Sequence, residues 1–179
     1  MPRGSLNSLV RHIRQLVGPS AEAGLTDAEL LRRFVGERDE TAFALLVERH
    51  GRLVRSVCRH LLANEEDVED AFQATLLVLA RKAAGIRKQR SVASWLYGVA
   101  YRTALKARTS HARRQKHERR AEVPSPRGPT SEAALRELQA ILDEEVGRLP
   151  EKFRAPFVLC CLEGKSKGEA SQELGWPEG

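Results

Sequence analysis

The chain has 179 residues, of which 41% are hydrophobic and 30% are charged, and this balance excludes a disordered protein. No apolar run reaches the ~18 residues of a membrane helix, so the sequence predicts no membrane segment. Thirty Lys and Arg against 24 Asp and Glu give a net charge of +6, which suggests a polyanionic partner. The length allows one domain or two small ones.

Residues 1–24 form an N-terminal extension with the pattern of a basic amphipathic helix. A signal peptide needs a continuous apolar core, which this segment lacks. A basic amphipathic helix could contact a membrane or a partner, whereas a helix packed loosely on the domain is the more ordinary interpretation. The apolar stripe consists of Leu6, Leu9, Val10, Ile13, Leu16 and Val17.

Two helices are predicted next. The run from Thr26 to Glu29 is a capping box that opens the first helix, and Gly36 is predicted to close it. Asp39 is predicted to cap a longer helix that runs to about Leu62, with Asn64 as its stop. The buried positions predicted for the two helices are Leu30, Leu31, Phe34, Val35, Phe43, Leu46, Val47, Val54, Val57, Cys58 and Leu61.

Residues 65–82, EEDVEDAFQATLLVLARK, predict a third helix that ends at Gly85. Acids crowd its first turns, where the helix dipole favours negative charge. Its core-facing stripe has helical spacing and consists of Val68, Phe72, Thr75, Leu76 and Leu79.

The opposite face of this helix is a line of Glu66, Asp70, Gln73 and Leu77, at i, i+4, i+7 and i+11. Two acids, an amide and a leucine in one row are typical of a surface for a basic partner. The alternative is a solvated face with one exposed leucine, which is ordinary in proteins and is favoured when the helix is considered alone.

Residues 86–94, IRKQRSVAS, predict a short basic loop. Its cations Arg87, Lys88 and Arg90 could bind phosphates, while Gln89 and Ser91 could meet the edge of an unstacked base. The alternative is a solvated basic loop.

A helix is predicted to start at Trp95 and to run past Arg108. One face is small and apolar, and another joins an aromatic ring to cations one turn apart, which suits a DNA strand. A lone tryptophan is more often a core residue. The first face consists of Leu96, Ala100, Thr103 and Ala107, and the second of Trp95, Val99, Arg102, Lys106, Thr109 and Arg113.

Residues 121–133 contain three prolines and a glycine and predict a flexible linker. Helices follow over 134–149 and from Pro150, then Gly164 as a stop, and a second capping box at Ser166 that opens a helix ending before Gly175. This is the first half of a helix-turn-helix, so we expect an incomplete domain. It should be loosely folded or packed against the preceding helices or a second copy. Its predicted buried residues are Leu135, Leu138, Ile141, Leu142, Val146, Leu149, Phe153, Phe157, Cys161 and Leu162.

The three cysteines, Cys58, Cys160 and Cys161, lack the spacing of a metal site and lie in apolar helical patterns, so buried free thiols are expected. The sequence also lacks a Gly-rich phosphate loop and any nucleophile–base arrangement. It therefore predicts no cofactor, no metal site and no enzyme.

Two ordered motifs carry a family resemblance. The segment DVEDAFQATLLVLARKA followed by SWLYGVAYRTALKARTSHARR resembles region 2 of bacterial RNA polymerase sigma factors of the extracytoplasmic-function (ECF) type. The C-terminal segment RLPEKFRAPFVLCCLEGKSKGEASQELGWPEG resembles the start of sigma region 4. The resemblance implies an all-α chain of two small helical domains, with region 2 over 25–120, the linker over 121–133 and a truncated region 4 over 134–179.

The resemblance also implies partners. Region 2 would grip the clamp helices of the largest subunit of core RNA polymerase, and it would open and read the minus-ten element of promoter DNA. An anti-sigma factor is a further partner that the family allows, and the cytoplasm is the expected compartment. The polymerase-binding residues would be Glu66, Asp67, Asp70, Gln73 and Leu77, and the DNA-binding residues Arg87, Lys88, Gln89, Arg90, Ser91, Trp95, Arg102, Lys106 and Arg113.

One departure concerns Tyr101 and Arg102, where members of the family often carry Asn, so promoter preference is not implied. Two other functions stay open, a stand-alone DNA-binding regulator and a degenerate sigma-like protein that does not recognise a minus-thirty-five element. A regulator would leave the line on the third helix without a role.

Overall fold

A computed structural model describes residues 24–86, 91–118 and 131–177. Over these ranges every regular element is a helix, which confirms the predicted all-α class. The elements are α1 Asp27–Glu37, α2 Glu40–Leu61, α3 Glu65–Ile86, α4 Val92–Glu118, α5 Ser131–Arg148, α6 Glu151–Phe157, a π-helix Val158–Leu162, and α7 Lys167–Leu174. None of the helices described is long and apolar enough to cross a membrane.

Side-chain caps set the starts of the first two helices. The Thr26 hydroxyl accepts a hydrogen bond from the Glu29 backbone N–H, and the Glu29 carboxylate accepts one from the Thr26 backbone N–H, so the predicted capping box is confirmed. Asp39 accepts hydrogen bonds from the N–H groups of Thr41 and Ala42 at the start of α2, as predicted. These caps satisfy donors that a helix N-terminus otherwise leaves unpaired.

The predicted ends of α1 and α3 are corrected, whereas α2 ends at Leu61, within one residue of the prediction. Gly36 lies inside α1, and Arg38 takes the left-handed conformation after it, with φ of 55°. Asn64 does not stop α2, because its side chain accepts the Glu66 N–H at 3.0 Å and so caps the start of α3. The third helix continues through Gly85 to Ile86, whose buried side chain lies two turns beyond Leu79 and extends the apolar stripe.

The four helices α1 to α4 enclose one hydrophobic core. The predicted stripe of α3, from Val68 to Leu79, is buried in full, and so are the predicted positions of α2 except Phe43, which is half-buried. Phe43 instead stacks on Phe34 of α1, with ring centroids 4.8 Å apart. The first half of α4 contributes buried residues that the predicted face did not contain, among them Ala93, Tyr97 and Ala104.

The C-terminal half packs against this core, in agreement with one of the expected arrangements. Helix α5 lies on α2 and α4, and the π-helix lies on α4. The Tyr97 hydroxyl of α4 donates to Asp143 Oδ1 of α5 at 2.8 Å, and Arg154 of α6 donates to the Ser94 hydroxyl at 3.3 Å. Whether the two halves are separate domains with the predicted boundaries stays a prediction.

The buried face predicted for α5 and α6 is wrong for most of its members. Leu138 is 63% exposed, and only Val146 of the predicted stripe of α5 is buried. The reason is that α5 packs through its polar side, which carries Asp143, and turns its leucines outward. The predicted core residues that are in fact exposed are Leu135, Leu138, Ile141, Leu142, Phe153, Cys161 and Leu162.

Boundaries in the C-terminal half also shift. Helix α5 begins at Ser131, so residues 131–133 are helical although the sequence assigned them to the linker. Pro156 lies inside α6, and the chain continues beyond Phe157 as a π-helix. Gly164 and Gly175 take positive φ angles of 71° and 63°, and Ser166 forms the predicted capping box, so these three predictions are confirmed. Residues 1–23 and 119–130 lie outside the described residues.

Candidate functional site

The predicted line on α3 lies on the surface opposite its buried stripe. Glu66 and Asp70 are exposed, Gln73 is half-buried, and Leu77 exposes 51% of its surface, as much as the outward leucines of α5. Asp67, beside the line, is half-buried. The structure therefore brings all five predicted polymerase-binding residues to one side of one helix.

Two acids of α3 form ion pairs with arginines of α2. Arg59 binds Glu65 at 2.6 Å, and Arg55 binds Glu69 at 2.7 Å. The Arg59 hydrogen bond lowers the pKa of Glu65. Burial by itself would raise the pKa of Glu69, but hydrogen bonds from Gln73 and Arg55 outweigh it and lower the pKa. Both acids are thus engaged within the protein.

Gln73 is oriented by a chain of contacts that sequence reasoning missed. The Arg55 guanidinium lies 4.3 Å from the centre of the Phe72 ring and holds Glu69, and Glu69 Oε1 accepts a hydrogen bond from Gln73 Nε2 at 3.1 Å. The cation–π contact and the ion pair together fix the arginine. Arg55 and Glu69 are 14 residues apart on different helices, so no local pattern pointed to this support.

The cationic face predicted for α4 is also on the surface. Arg102, Lys106 and Arg113 are exposed, whereas Trp95 is half-buried and packs against the core. Arg102 folds back along the helix towards its N-terminus, since a Cβ placed on Gly98 would lie 3.3 Å from Arg102 Nη1. The missing side chain at Gly98 therefore leaves room for the guanidinium beside the turn that carries Trp95.

Two residues of the predicted DNA face are placed differently from expectation. Val99 is buried and belongs to the core side of α4. Ser91 is 2% exposed, and its hydroxyl accepts the Ser94 N–H at 3.1 Å. Ser91 therefore caps α4. This helix begins at Val92 rather than at Trp95, so the loop is shorter than predicted. The remaining loop residues, Arg87, Lys88, Gln89 and Arg90, lie outside the described residues.

The C-terminal half occupies a third side of the molecule. It contacts α4 at Ser94, Tyr97 and Tyr101, the last of which lies beside Gly147. Arg102 and Lys106 remain exposed with α5 to α7 in place, and so does Leu77 on α3. Both candidate surfaces are therefore accessible in the packed arrangement.

The described part of the chain contains no candidate metal site and no candidate reactive thiol centre. Within residues 24–86, 91–118 and 131–177, no group of three or more His, Cys, Asp or Glu could hold a metal ion. Burial raises the pKa of the Cys58 thiol to about 11, which makes it inert at neutral pH. Cys160 is half-buried and Cys161 is exposed, so the expectation of three buried thiols holds for Cys58 alone.

Comparison with known proteins identifies the family. The model described as Sigma-70 region 2 matches residues 46–114, which run from α2 into α4. The ECF RNA polymerase sigma factor SigM of Mycobacterium tuberculosis is 30% identical over 154 residues, covering 86% of this chain and 76% of the relative. The chain belongs to the ECF sigma factors.

Other relatives of this sigma factor carry the same kind of name. The ECF RNA polymerase sigma-E factor of Haemophilus influenzae is 26% identical over 166 residues, which cover 87% of both chains. The RNA polymerase sigma factor NccH of Alcaligenes xylosoxydans is 27% identical over 158 residues, which cover 82% of both. The protein is thus a sigma factor of transcription initiation, and its family is not an enzyme family.

Proposed function

We propose that α3 is the surface by which this sigma factor binds core RNA polymerase, and that α4 with the loop before it opens and reads the minus-ten element. The observation that carries the first part is Leu77. It is exposed on a helix whose other side is fully packed, and it continues a line of acids at helical spacing.

The composition of the line fits a basic, partly apolar partner. Asp70 supplies a charge on the exposed side of the helix, while Leu77 supplies apolar area. Gln73 is held in place by Glu69, so little side-chain entropy is lost when it binds. A few anchors of this kind dominate most protein interfaces. We assign the partner as the clamp helices of the largest polymerase subunit, as the family resemblance implies.

The test is binding to core polymerase by charge-reversed variants. We expect Asp70→Lys to weaken binding by about tenfold or more, the size of one interface hot spot. The matched control is Glu145→Lys on α5, an exposed acid far from the line in sequence, which should leave affinity unchanged. Circular dichroism confirms that both variants fold. Equal affinity of the two variants for core polymerase would show that α3 is not part of the interface.

The second part of the proposal rests on the cations of α4. Arg102, Lys106 and Arg113 are exposed, at spacings of four and seven residues, and can neutralise successive phosphates of one strand. Trp95 lies two turns before Arg102 with part of its ring exposed, so it can brace the end of the duplex. Ser91 acts in this arrangement as the cap that positions the start of α4, not as a group exposed to a base.

The loop 87–90 carries the sequence-reading role in this proposal. Its cations Arg87, Lys88 and Arg90 would hold phosphates while Gln89 meets the edge of a base pulled from the stack. Exchange of Gln89 should alter base preference within the minus-ten element, measured by open-complex formation on promoters substituted at each position. An unchanged preference profile would rule out reading by this residue.

A stand-alone regulator is the less favoured alternative, because it gives the exposed line on α3 no role. It predicts site-specific duplex binding without polymerase, which a footprint of the protein alone would reveal. The compartment implied by the proposal is the cytoplasm, where polymerase and promoter meet. Among the described residues no surface distinguishes a site for an anti-sigma factor, so that partner stays a prediction.

A further inference from the structure

Two histidines of α2 each contact a carboxylate of the C-terminal half. His50 is 1% exposed, and its Nδ1 lies 2.7 Å from Glu163 Oε1, just after the π-helix. His60 lies ten residues further along α2, and its Nδ1 is 2.7 Å from Asp143 Oδ2 of α5. Asp143 is 4% exposed. These paired groups connect residues 113 and 83 positions apart in the chain.

His50 is enclosed by acceptors on both sides. Its Nε2 lies 2.7 Å from Asp27 Oδ2 at the start of α1, opposite the contact with Glu163. Carboxylate oxygens only accept hydrogen bonds, so both ring nitrogens must carry protons and the imidazole is positively charged. The surrounding charges are Arg49, which binds Asp27 at 2.5 Å, and Lys165, which lies 3.7 Å from Glu163 and also pairs with Glu173 of α7.

The charge state of this cluster follows from those contacts. Burial alone would lower the pKa of His50, but the hydrogen bonds and charges of Asp27 and Glu163 outweigh it and raise the pKa to about 9. Burial would likewise raise the pKa of Asp27, yet His50 and Arg49 lower it to about 2. At neutral pH the cluster holds one imidazolium between two carboxylates.

We propose that His50 fastens residues 131–177 against α1 to α4 as a protonated imidazole shared between Asp27 and Glu163, and that loss of the proton or of Glu163 opens the protein. Removing one partner of a buried ion pair leaves the other charge buried and unpaired. This destabilises the folded protein by much more than the intact pair stabilises it. Asp143 with His60 and Tyr97 forms a second attachment, and we expect the closed arrangement to need both.

Opening is the expected response, rather than global unfolding, because residues 131–177 supply only a small part of the shared hydrophobic core. Helices α1 to α4 bury most of the hydrophobic residues of the molecule, including Leu46, Leu79 and Leu96. The C-terminal half contributes Val146, Ala155, Val158, Leu159, Ala170 and Leu174. Once open, the side of α4 at Tyr97 and Tyr101 is uncovered, which adds a surface that the closed state hides.

The test uses the full chain and no polymerase or DNA, so its result is independent of the proposed function. We expect Glu163→Gln at pH 6 to have a radius of gyration about 2–5 Å larger than that of the closed form, measured by small-angle X-ray scattering. A compact chain of this length has a radius of gyration of about 16 Å. The matched control, Glu145→Gln, removes an exposed carboxylate of α5 that pairs with Arg148 one turn away. It should scatter like the wild type.

A pH series separates the role of the proton from mere loss of a contact. The wild type should expand between pH 8 and pH 10, while Glu163→Gln, already open, should change little. Circular dichroism must show wild-type helix content in both proteins. A wild-type radius for Glu163→Gln at pH 6, or expansion that comes with loss of helix, would overturn the proposal.

Discussion

The hydroxyl of Tyr97 donates a hydrogen bond to Asp143 Oδ1 at 2.8 Å, while His60 binds the other oxygen of the same carboxylate at 2.7 Å. Tyr97 is fully buried in α4, and Asp143 reaches it from α5. Burial, together with the hydrogen bond and charge of Asp143, raises the pKa of Tyr97 well above its ordinary value. The tyrosine therefore stays protonated and donates this hydrogen bond at neutral pH.

This relationship gives the first prediction. Tyr97→Phe should lower the free energy of unfolding by about 1–2 kcal/mol, because a buried carboxylate oxygen loses its donor without any change in shape. Urea denaturation followed by circular dichroism measures it. The control is Tyr101→Phe, one turn along α4 and only half-buried, which should cost less. Equal costs for the two variants would contradict the assigned role of the hydroxyl.

A second prediction concerns the leucines of α5. Leu138→Ala should change the free energy of unfolding by less than about 0.5 kcal/mol, because the side chain is already exposed. Leu159→Ala, the same substitution at a fully buried position of the π-helix, should cost about 2–5 kcal/mol. Denaturation curves of the two variants, recorded in parallel, measure both changes in the free energy of unfolding. A large loss for Leu138→Ala would mean that α5 packs through its leucines, as the sequence alone suggested.

The contrast between these residues shows what sequence can predict here. Caps such as Thr26 and Asp39 act within three residues, and the stripe of α3 packs on one continuous core, so local patterns identified both. Helix α5 instead packs through Asp143, against side chains 83 and 46 positions earlier in the chain. An apolar stripe does not reveal that a polar side will face the protein.

The same reasoning applies to the candidate surfaces. The line on α3 and the face of α4 that carries its cations follow from helical spacing, and the structure places their polar residues on the surface as expected, whereas Val99 is buried. The support of Gln73 by Arg55 through Glu69, and the use of Ser91 as a cap, depend on how helices meet and where α4 begins. Neither follows from residue type and spacing within one segment.

The third prediction is a pH dependence of stability. Asp27, with its pKa lowered to about 2, contributes stability above about pH 4 that is lost as pH falls through 2. His50, with its pKa raised to about 9, contributes stability below about pH 6.5 that is lost as pH rises through 9. The free energy of unfolding should therefore be highest between about pH 4 and 6.5 and should fall by roughly 2–3 kcal/mol towards pH 10.

Urea midpoints from pH 4 to pH 10 measure this dependence. In Glu163→Gln the alkaline decline should be shallower, because His50 has lost one of the two carboxylates that hold its proton. An alkaline decline as steep in the variant as in the wild type would show that other groups cause it.

The fourth prediction concerns DNA. Arg102→Ala should lower the slope of log affinity against log salt by about one for polymerase holoenzyme on a minus-ten fork, since one phosphate contact is lost. Lys167→Ala, which removes an exposed cation from α7, should leave the slope unchanged. Fluorescence anisotropy at several salt concentrations provides the slopes, and equal slopes for both variants would exclude Arg102 from the DNA contact.

The most direct measurement of the central claim compares two exposed leucines. Titration of labelled core RNA polymerase gives the dissociation constant of the wild type, of Leu77→Glu on α3 and of Leu138→Glu on α5. Both leucines are more than half exposed, so neither substitution should disturb the fold. We predict that Leu77→Glu raises the dissociation constant about tenfold or more and that Leu138→Glu leaves it unchanged. Wild-type affinity of Leu77→Glu would contradict the assignment of α3 as the polymerase-binding surface.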